Sequence, residues 1–531
     1  MELDGDNCFR AMRARDRRFD GVFFVGVKTT GVYCRPICPA RTPRRDRCAF
    51  FRRAVDAEQA GFRACFRCRP ELAPGLAAVD SIPRLVRAAV ARIEAGRLND
   101  GSLEQLAAEL GVTARHLRRA MTAELGTTPV ALAQTRRLAL AKQLLHDTPL
   151  ALVDVAFAAG FASVRRFNAL FQARFGRPPS ALRRAHGAPS GGAGRSASRR
   201  VHGGRSGGAA RSARGVGKSA GDGGRSGRAA DGAVALRLDY RPPLDWDALL
   251  AFLAARALPE LERVGDGEYA RWVTLGGRVG FVAVRADTGR PALRARVSVS
   301  LAPKLMEVSA QLRALFDLDA RPDVIADHLS GDRALRGLLR ARPGLRVPGA
   351  FDGFELAVRA VLGQQVSVRA ATTLAGRLVA AFGRGAAGAA EAPAEALADG
   401  QAPRLFPAAR VLAAASATRV QALGMPRRRA EAVVALARAV ADGRVDLAPG
   451  ADPARTVAAL TELPGVGAWT AQYVAMRALK WPDAFPAGDL ALQKALGVGG
   501  ARAAEARASA WAPWRAYAVM HLWSSLTETG G

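Results

Sequence analysis

The spacing of apolar residues changes along the chain and divides it into regions of different structure. Between residues 81 and 186 apolar residues recur three and four positions apart, which predicts helices. Between residues 233 and 303 apolar and polar residues alternate, as in GFVAVRA and ARVSVS, around one helical stretch, WDALLAFLAARAL. From residue 304 to residue 531 the spacing is helical again, with a Gly- and Ala-rich stretch near residues 383–403 that we expect to be a loose insertion.

Residues 187–232 separate the two halves of the chain and contain Gly, Ser, Ala and Arg with almost nothing to bury. Such a composition predicts a disordered basic linker. A chain of 531 residues is also too long for one hydrophobic core. We therefore expect a multidomain protein that is mainly α with α+β parts. The expected domains are residues 1–80, 81–186, 187–232 (the linker), 233–303 and 304–531.

The charge of the chain narrows the choice of partner. It contains 78 Lys and Arg residues against 47 Asp and Glu residues, a formal net charge of +31. Nucleic acid is the first candidate, because neutralising phosphates releases counterions. An alternative explanation for part of the excess is a genome whose base composition favours Arg and Ala. With no run of about 18 apolar residues and no signal peptide visible, we expect a cytoplasmic, nucleoid-associated bacterial protein that does not enter a membrane.

All six cysteines lie within the first 68 residues, and four of them form two close pairs separated by 26 residues. Two pairs of thiolates can close a tetrahedral zinc site and stabilise a module that is too small to fold by itself. Cys8 and Cys48 have no comparable partner and are expected to be ordinary thiols. The predicted ligands of one zinc ion are Cys34, Cys38, Cys65 and Cys68.

The segments TTGVYCRPICPAR and AGFRACFRCRPE resemble the N-terminal domain of Ada methylation-response proteins over residues 5–75. The resemblance implies that Cys34 accepts a methyl group from a methylphosphotriester in DNA while it is bound to zinc. Methylation would remove one negative charge from the thiolate cluster, and DNA binding would strengthen. A zinc knuckle without methyl transfer is the alternative interpretation.

Two helix-turn-helix units are predicted between residues 84 and 185. In the first, Ser102 opens a helix with a capping box and Gly111 turns the chain, and in the second Gly160 makes the turn. The ending GFASVRRFNALFQARFGRPPSALR resembles AraC-type regulators, which implies sequence-specific contact with successive major grooves. The alternative is that the exposed charges only solvate a helical bundle. The expected DNA-binding residues are Arg115, His116, Arg118, Arg119, Arg165, Arg166 and Asn168.

The segment LPGVGAWTAQY places Leu463, Gly465 and Gly467 between two predicted helices. A hairpin of this kind brings backbone N–H groups close to a DNA phosphate, and carbonyls turned outward at the same loop can hold a monovalent cation. About twenty residues later, Asp489 follows a Pro/Gly loop at the start of a new helix.

The hairpin followed by this carboxylate resembles the helix-hairpin-helix DNA glycosylases, and within them the AlkA family, over residues 234–526. The resemblance implies a TBP-like α+β subdomain before the helix-hairpin-helix domain, with Asp489 as the catalytic carboxylate for release of alkylated bases of the 3-methyladenine type. It places Gln365 where the best-known member has a leucine that wedges into DNA, and a polar amide fills that gap less well. The implied base-binding pocket consists of Gln364, Trp469, Tyr473 and Trp523.

Relatives that also cut the DNA strand carry a Lys where this chain has Trp469, so we expect a monofunctional glycosylase. The whole chain is interpreted as this enzyme fused to a damage-sensing transcription regulator. We expect it to be a monomer that binds alkylated and promoter duplex DNA and contacts RNA polymerase. A direct O6-methylguanine methyltransferase is not expected, because no Cys follows residue 68. The alternatives are a transcriptional activator with a degenerate glycosylase domain, and a protein whose zinc site and linker only dock other proteins.

Overall fold

The computed structural model describes residues 3–74, 83–186, 233–386 and 403–528. The linker predicted at residues 187–232 lies outside the described residues, as does most of the predicted Gly/Ala-rich insertion. Among the helices of the described ranges, none combines the length and the apolar character that crossing a membrane requires.

The cysteine-rich region forms a small sheet in the order β3-β1-β2-β4, in which β2 and β4 are parallel and the other pairs are antiparallel. Phe24 and Val25 of its central strand are buried, and Phe24 packs edge-on against Tyr33 with ring centroids 5.9 Å apart. The elements of this region are α1 (Gly5–Ala14), β1 (Phe24–Val27), β2 (Val32–Cys34), β3 (Cys48–Phe51), α2 (Ala54–Gln59) and β4 (Arg63–Ala64).

The next region is helical and contains the two predicted helix-turn-helix units. Ser102 accepts a hydrogen bond from the backbone N–H of Gln105 at 3.2 Å, and the Gln105 side chain accepts one from the Ser102 N–H at 2.9 Å, so the predicted capping box is present. Gly111 and Gly160 lie at the two turns. The helices are α3 (Arg84–Glu94), α4 (Arg97–Asp100), α5 (Leu103–Glu109), α6 (Ala114–Leu125), α7 (Pro129–Asp147), α8 (Leu152–Ala158), α9 (Val164–Phe175) and α10 (Pro179–His186).

The predicted α+β layer is an antiparallel sheet in the order β5-β9-β8-β7-β6. Helix α11 packs on this sheet, and helix α12 shares the same apolar core although it lies beyond residue 303. The elements are β5 (Ala233–Asp239), α11 (Trp246–Ala254), β6 (Glu262–Gly265), β7 (Glu268–Leu275), β8 (Arg278–Ala286), β9 (Ala292–Ser298) and α12 (Leu305–Leu315).

The remaining helices surround two apolar clusters, one centred on α15, α16, α19 and α21 and the other on α22 and α24. A short antiparallel ribbon, β10 and β11, closes the base of the predicted insertion. The elements are α13 (Pro322–Leu329), α14 (Arg333–Ala341), α15 (Gly353–Leu362), α16 (Val368–Phe382), β10 (Arg384–Gly385), β11 (Arg404–Leu405), α17 (Ala409–Ala413), α18 (Ala417–Gln421), α19 (Arg427–Ala441), α20 (Pro453–Thr461), α21 (Ala468–Arg477), α22 (Leu490–Leu496), α23 (Ala501–Ala508) and α24 (Arg515–Glu528).

Candidate active site, zinc centre and DNA-binding surfaces

The predicted hairpin connects α20 to α21. Gly465 has a φ of +79°, and a Cβ there would come within 2.9 Å of the Cβ of Ala432, so both the backbone conformation and the space require glycine. Gly465 and Gly467 are exposed. The Leu463 side chain is buried in the apolar cluster around α15, α16, α19 and α21, and it therefore anchors the hairpin to this core. Any contact that Leu463 makes with DNA would therefore come from its backbone.

Asp489 is the N-cap of α22, where Oδ1 accepts a hydrogen bond from the backbone N–H of Leu492 at 2.8 Å. Two tryptophans also donate to this carboxylate. The indole Nε1 of Trp469 lies 2.9 Å from Oδ2, and Nε1 of Trp523 lies 3.2 Å from Oδ1. These contacts fix the orientation of the half-buried carboxylate, and the structure therefore brings Asp489 together with two of the predicted pocket residues.

The three predicted aromatic residues form one wall beside this carboxylate. Trp469 and Tyr473 are one helical turn apart on α21, and their rings are nearly parallel, with an interplanar angle of 12° and centroids 5.3 Å apart. The Trp523 ring centroid lies 6.3 Å from that of Tyr473. All three residues are half-buried, so each keeps part of its surface accessible.

A cationic group that the sequence did not reveal lies behind Tyr473. Arg477 donates to the Tyr473 hydroxyl at 2.6 Å, and the guanidinium groups of Arg477 and Arg256 lie 4.8 Å and 3.7 Å from the ring centroid of Phe252. Burial raises the pKa of Tyr473, but the charges of Arg477 and Arg256 outweigh burial, so the pKa lies below its ordinary value. The four-residue spacing of Tyr473 and Arg477 on one helix was a signal that could have revealed the first contact, whereas no local pattern encodes the contact of Arg256 with Tyr473.

Gln364 ties the turn between α15 and α16 to the hairpin. Its side-chain amide donates to the carbonyl of Gly465 at 3.0 Å and to the Thr470 hydroxyl at 2.8 Å. The backbone carbonyl of Gln364 accepts a hydrogen bond from the Arg429 guanidinium at 2.6 Å. The next residue, Gln365, is exposed and has a φ of +52°. A non-glycine residue in this region stores strain of about 1 kcal/mol or more. The predicted wedge position is therefore at the tip of a strained turn.

The four predicted zinc ligands come together, and their sulfur atoms all lie within 4.8 Å of one another. Tetrahedral zinc with Zn–S bonds of about 2.3 Å separates its sulfurs by about 3.8 Å, so the cluster fits this ion. The Arg35 backbone N–H donates to Sγ of Cys68 at 3.3 Å. Cys38 is the most exposed of the four ligands, whereas Cys34 is buried. Cys8 and Cys48 lie in a separate apolar cluster.

The expected DNA-binding residues of the helix-turn-helix units lie on α6 and α9, the second helix of each unit. Thr113 and Ser163 cap these helices, and Leu117 and Phe167 bury the opposite faces. The polar face of each helix is consequently free to meet DNA. All of the following residues are exposed: Arg115, His116, Arg118, Arg119, Arg165, Arg166 and Asn168.

Four family models match the chain. The metal-binding domain of Ada matches residues 7–71 and a helix-turn-helix domain matches residues 106–185. The AlkA N-terminal domain matches residues 235–352, and the HhH-GPD superfamily of base-excision DNA repair proteins matches residues 358–508. The fold and these matches define a base-excision DNA glycosylase fused to a zinc-containing, DNA-binding regulator.

Comparison with curated proteins identifies the particular family to which the chain belongs. The chain is 38% identical to the probable bifunctional transcriptional activator/DNA repair enzyme AlkA of Mycobacterium tuberculosis, over 99% of this chain and 97% of that protein. It is also 38% identical to DNA-3-methyladenine glycosylase 2 of Escherichia coli, over 54% of this chain and 95% of that protein. The chain belongs to the family of bifunctional transcriptional activator/DNA repair enzymes AlkA. The predicted resemblances to Ada, to helix-turn-helix regulators and to AlkA are thereby confirmed.

Among solved structures, a 3-methyladenine DNA glycosylase from Archaeoglobus fulgidus is similar to 56% of this chain and 99% of its own, with 21% identity and a TM-score of 0.47.

Proposed function

We propose that the protein hydrolyses the N-glycosidic bond of alkylated bases in duplex DNA, with Asp489 as the catalytic carboxylate. The observation that carries the proposal is the placement of Asp489, which is fixed by two indole N–H groups and a helix N-terminus beside an aromatic wall. The relative named DNA-3-methyladenine glycosylase 2 supports the substrate class.

The reaction needs a fixed negative charge near the sugar. As the bond between C1′ and the base nitrogen breaks, its electron pair leaves with the base and positive charge develops on the sugar. Asp489 stabilises that charge and accepts a proton from the water whose oxygen bonds to C1′. An alkylated purine already carries positive charge, so it leaves as a neutral base and needs no general acid.

The aromatic wall selects the base after it has left the DNA stack. Electron-rich ring faces attract a cationic base by about 0.5 to 2 kcal/mol each, and the rings of Trp469, Tyr473 and Trp523 line one side of the space beside Asp489. Weak pairing of a cationic lesion lowers the cost of flipping it out. Gln364 contributes to the pocket by holding the adjacent turn.

The enzyme is monofunctional in this proposal. A lyase uses an amine to form a Schiff base with the sugar, and Trp469 provides an indole at the corresponding position. Its Nε1 donates to Asp489, so the residue supports the carboxylate that activates water. The product is an abasic site in an intact strand.

The hairpin and the adjacent turn bind the DNA around the lesion. We assign phosphate contact to the backbone around Gly465 and Gly467, with a monovalent cation held by carbonyls of the same loop. Gln365 enters the duplex beside the flipped nucleotide, since it is exposed at the tip of a turn that Gln364 anchors. An amide fills the vacated space less completely than leucine, but it can hydrogen bond to the orphaned base.

Base release from methylated duplex DNA tests the glycosylase assignment. Asp489→Asn keeps an oxygen that accepts from the Leu492 N–H but loses the charge, so we expect base release to fall at least about 100-fold. Asp442→Asn, at an exposed position, is the matched control and should retain wild-type release. Equal release by Asp489→Asn and wild type would remove Asp489 from its role. Absence of release from the wild type would favour a regulator with a degenerate glycosylase domain.

We further propose that Cys34 accepts a methyl group from a methylphosphotriester. The Cys34 sulfur attacks the methyl carbon, the methyl–oxygen bond breaks and its electron pair stays on the phosphate oxygen, which yields a thioether and a phosphodiester. Bound zinc keeps the cysteine sulfurs as thiolates at neutral pH. The loss of one negative charge then favours DNA binding by the exposed helices α6 and α9, and through them promoter activation by contact with RNA polymerase.

Fragment-ion mass spectrometry after incubation with methylated DNA tests the acceptor. We expect one added methyl group on Cys34 and none after incubation with unmethylated DNA. Modification of Cys38, which is the more exposed thiol, would move the acceptor assignment to Cys38. No modification at either position would leave the zinc cluster with a structural role. We propose that the protein acts in the cytoplasm as a monomer. Analytical ultracentrifugation of the purified, methylated protein measures its mass and so checks that it is monomeric.

A further inference from the structure

Helix α3, which opens the helix-turn-helix region, has two buried faces. One face joins the core of its own domain through Val86, Ala89, Val90 and Ile93. Ala88 and Arg92 are also buried, but they lie on another stripe of the helix, in line with Arg84 at a spacing of four residues. Within its own domain Arg92 donates to Glu109 at 3.1 Å. Its second terminal nitrogen and Ala88 face a different part of the chain.

The partner of the stripe is the loop between α19 and α20 in the glycosylase half. Arg92 donates to Asp446 at 2.7 Å and Arg84 donates to Asp452 at 3.0 Å. Ala88, which lies between the two arginines, faces Gly450. The contacts run antiparallel along the helix and the loop, so they define a single register. Two carboxylates facing two guanidinium groups also give the surfaces complementary charge.

Gly450 makes the close approach possible. Its φ is +80°, and a Cβ built on it would lie 2.8 Å from the Cα of Ala88 and 3.1 Å from the Cβ of Ala91. No other residue type satisfies both the backbone conformation and the available space. The two backbones are therefore in direct contact, as expected for a packed interface and unlike two domains that only share a linker.

A second contact region lies between the zinc region and the first strand of the glycosylase half. Arg35, next to Cys34, binds the carboxylates of Asp20 and Asp239, and all three side chains are buried. Arg241 donates to the Asp20 carbonyl at 2.9 Å. One apolar core includes residues of the zinc region, of helices α7 to α10 and of the α+β sheet. The interface is thus continuous with a hydrophobic core.

We propose that the regulator half and the glycosylase half bind each other directly through these two regions and do not need the linker to stay together. The apolar core and the buried Arg35 provide the affinity, because exposed pairs such as Arg84–Asp452 contribute little in water. Gly450 and Arg92 set the register. Helix α20 begins after Asp452 in the first region and leads to the hairpin, so direct binding of the two halves holds α6 and α9 in a fixed position relative to Asp489.

Cleavage of the linker in the full-length protein tests this inference. The recognition sequence of a site-specific protease is inserted between residues 187 and 232, and the chain is cleaved and passed over a sizing column at about 0.15 M salt. We expect both fragments in one peak with the mass of a single chain. Two separate peaks would overturn the proposal. A peak of twice that mass would also overturn the proposal, because it would show that the two contact regions join two copies of the chain.

A substitution in the contact between α3 and the loop that joins α19 to α20 provides a second test. Ala88→Arg places a long side chain against Gly450 without entering the core of its own domain, and arginine is a good helix former. After linker cleavage we expect the dissociation constant of the two fragments to rise about tenfold or more, with faster hydrogen exchange in α3. Ala123→Arg, at an exposed position of α6, is the matched control and should leave the constant unchanged. An unchanged constant for Ala88→Arg would contradict the assigned register.

Discussion

The indole Nε1 of Trp469 donates a hydrogen bond to Oδ2 of Asp489 at 2.9 Å. Trp469 is also the residue whose ring lies parallel to Tyr473, so one side chain both shapes the pocket wall and orients the carboxylate. The second donor, Trp523, reaches the other oxygen of the same carboxylate. The pocket and the carboxylate therefore form a single unit, and replacing one indole changes both the shape of the pocket and the orientation of the carboxylate.

Replacing Trp469 with Phe should separate these two roles. The substitution keeps an aromatic face but removes the N–H donor, so Asp489 loses one of the contacts that fix it. We expect the rate of base release under single-turnover conditions to fall about tenfold, while affinity for DNA containing an abasic site changes little. Single-turnover kinetics and fluorescence anisotropy measure the two quantities.

Trp523→Phe is the comparison variant, because its hydrogen bond to Asp489 is longer, at 3.2 Å. We expect a smaller loss of rate than for Trp469→Phe. Equal rates for wild type and Trp469→Phe would mean that the indole N–H does not position the carboxylate.

Local sequence signals were sufficient to place Asp489 at the start of a helix and the glycines in a turn, whereas the catalytic role of Asp489 was implied by family resemblance. A carboxylate at a helix N-cap and glycines in a tight turn depend on residues within a few positions of one another. The donors to Asp489 could be assigned to a pocket only by family resemblance, since Trp469 and Trp523 are 20 and 34 residues away from it. Arg256 was missed because it reaches Tyr473 from the α+β subdomain, and no local pattern encodes that contact.

The same distinction applies to the fold. The strands β5, β7, β8 and β9 were predicted from alternating segments inside them, and each strand has seven to nine residues, which is long enough for such a segment to appear. The strands of the zinc region have two to four residues, too few for periodicity to appear. The parallel pairing of β2 with β4 lies directly beside Cys34 and Cys65, so metal binding by the cysteine cluster supports this pairing.

Zinc should be bound by the four clustered cysteines and by neither of the other two. We expect about one zinc ion per chain in the wild type, and a large loss in Cys65→Ser because serine is a poor zinc ligand. Hydrogen exchange in β1 to β4 should accelerate when the metal is removed by a chelator. Atomic absorption and hydrogen-exchange mass spectrometry measure these effects.

Cys48→Ser is the matched control for zinc binding, since Cys48 lies in the separate apolar cluster. It should retain the metal. Loss of zinc from Cys48→Ser alone, or full zinc content in Cys65→Ser, would contradict the assigned ligand set.

The exposed arginines of α6 should contribute to DNA binding in a salt-dependent way. We expect Arg118→Gln and Arg119→Gln each to weaken binding and, where the residue contacts a phosphate, to reduce the slope of log K against log salt by about 0.9. Titrations at several salt concentrations provide the slope. Arg290→Gln, in the exposed loop between β8 and β9, removes the same charge as a control. An equal change of slope for Arg290→Gln would attribute the effect to net charge alone.

His521 should make the stability of the glycosylase half depend on pH. Burial, helped by the charge of Arg342, lowers the pKa of His521 to about 4 from its ordinary value of 6.5. The unfolded chain therefore binds a proton between about pH 6.5 and pH 4 that the folded chain excludes, and stability falls as the pH decreases through this range. From about pH 7.5 to about pH 5 the loss from this residue alone amounts to about 2 kcal/mol.

His521→Leu removes the titrating group and keeps an apolar side chain in the core around α24, where Leu522 is also buried. Chemical unfolding at about pH 7.5 and at about pH 5 measures the free energy of unfolding. Between these pH values we expect this free energy to fall by about 2 kcal/mol less in His521→Leu than in the wild type. His328→Gln, at an exposed position of α13, should leave the wild-type drop unchanged. If the drop persisted in His521→Leu, the pH dependence would have to come from groups other than this buried imidazole.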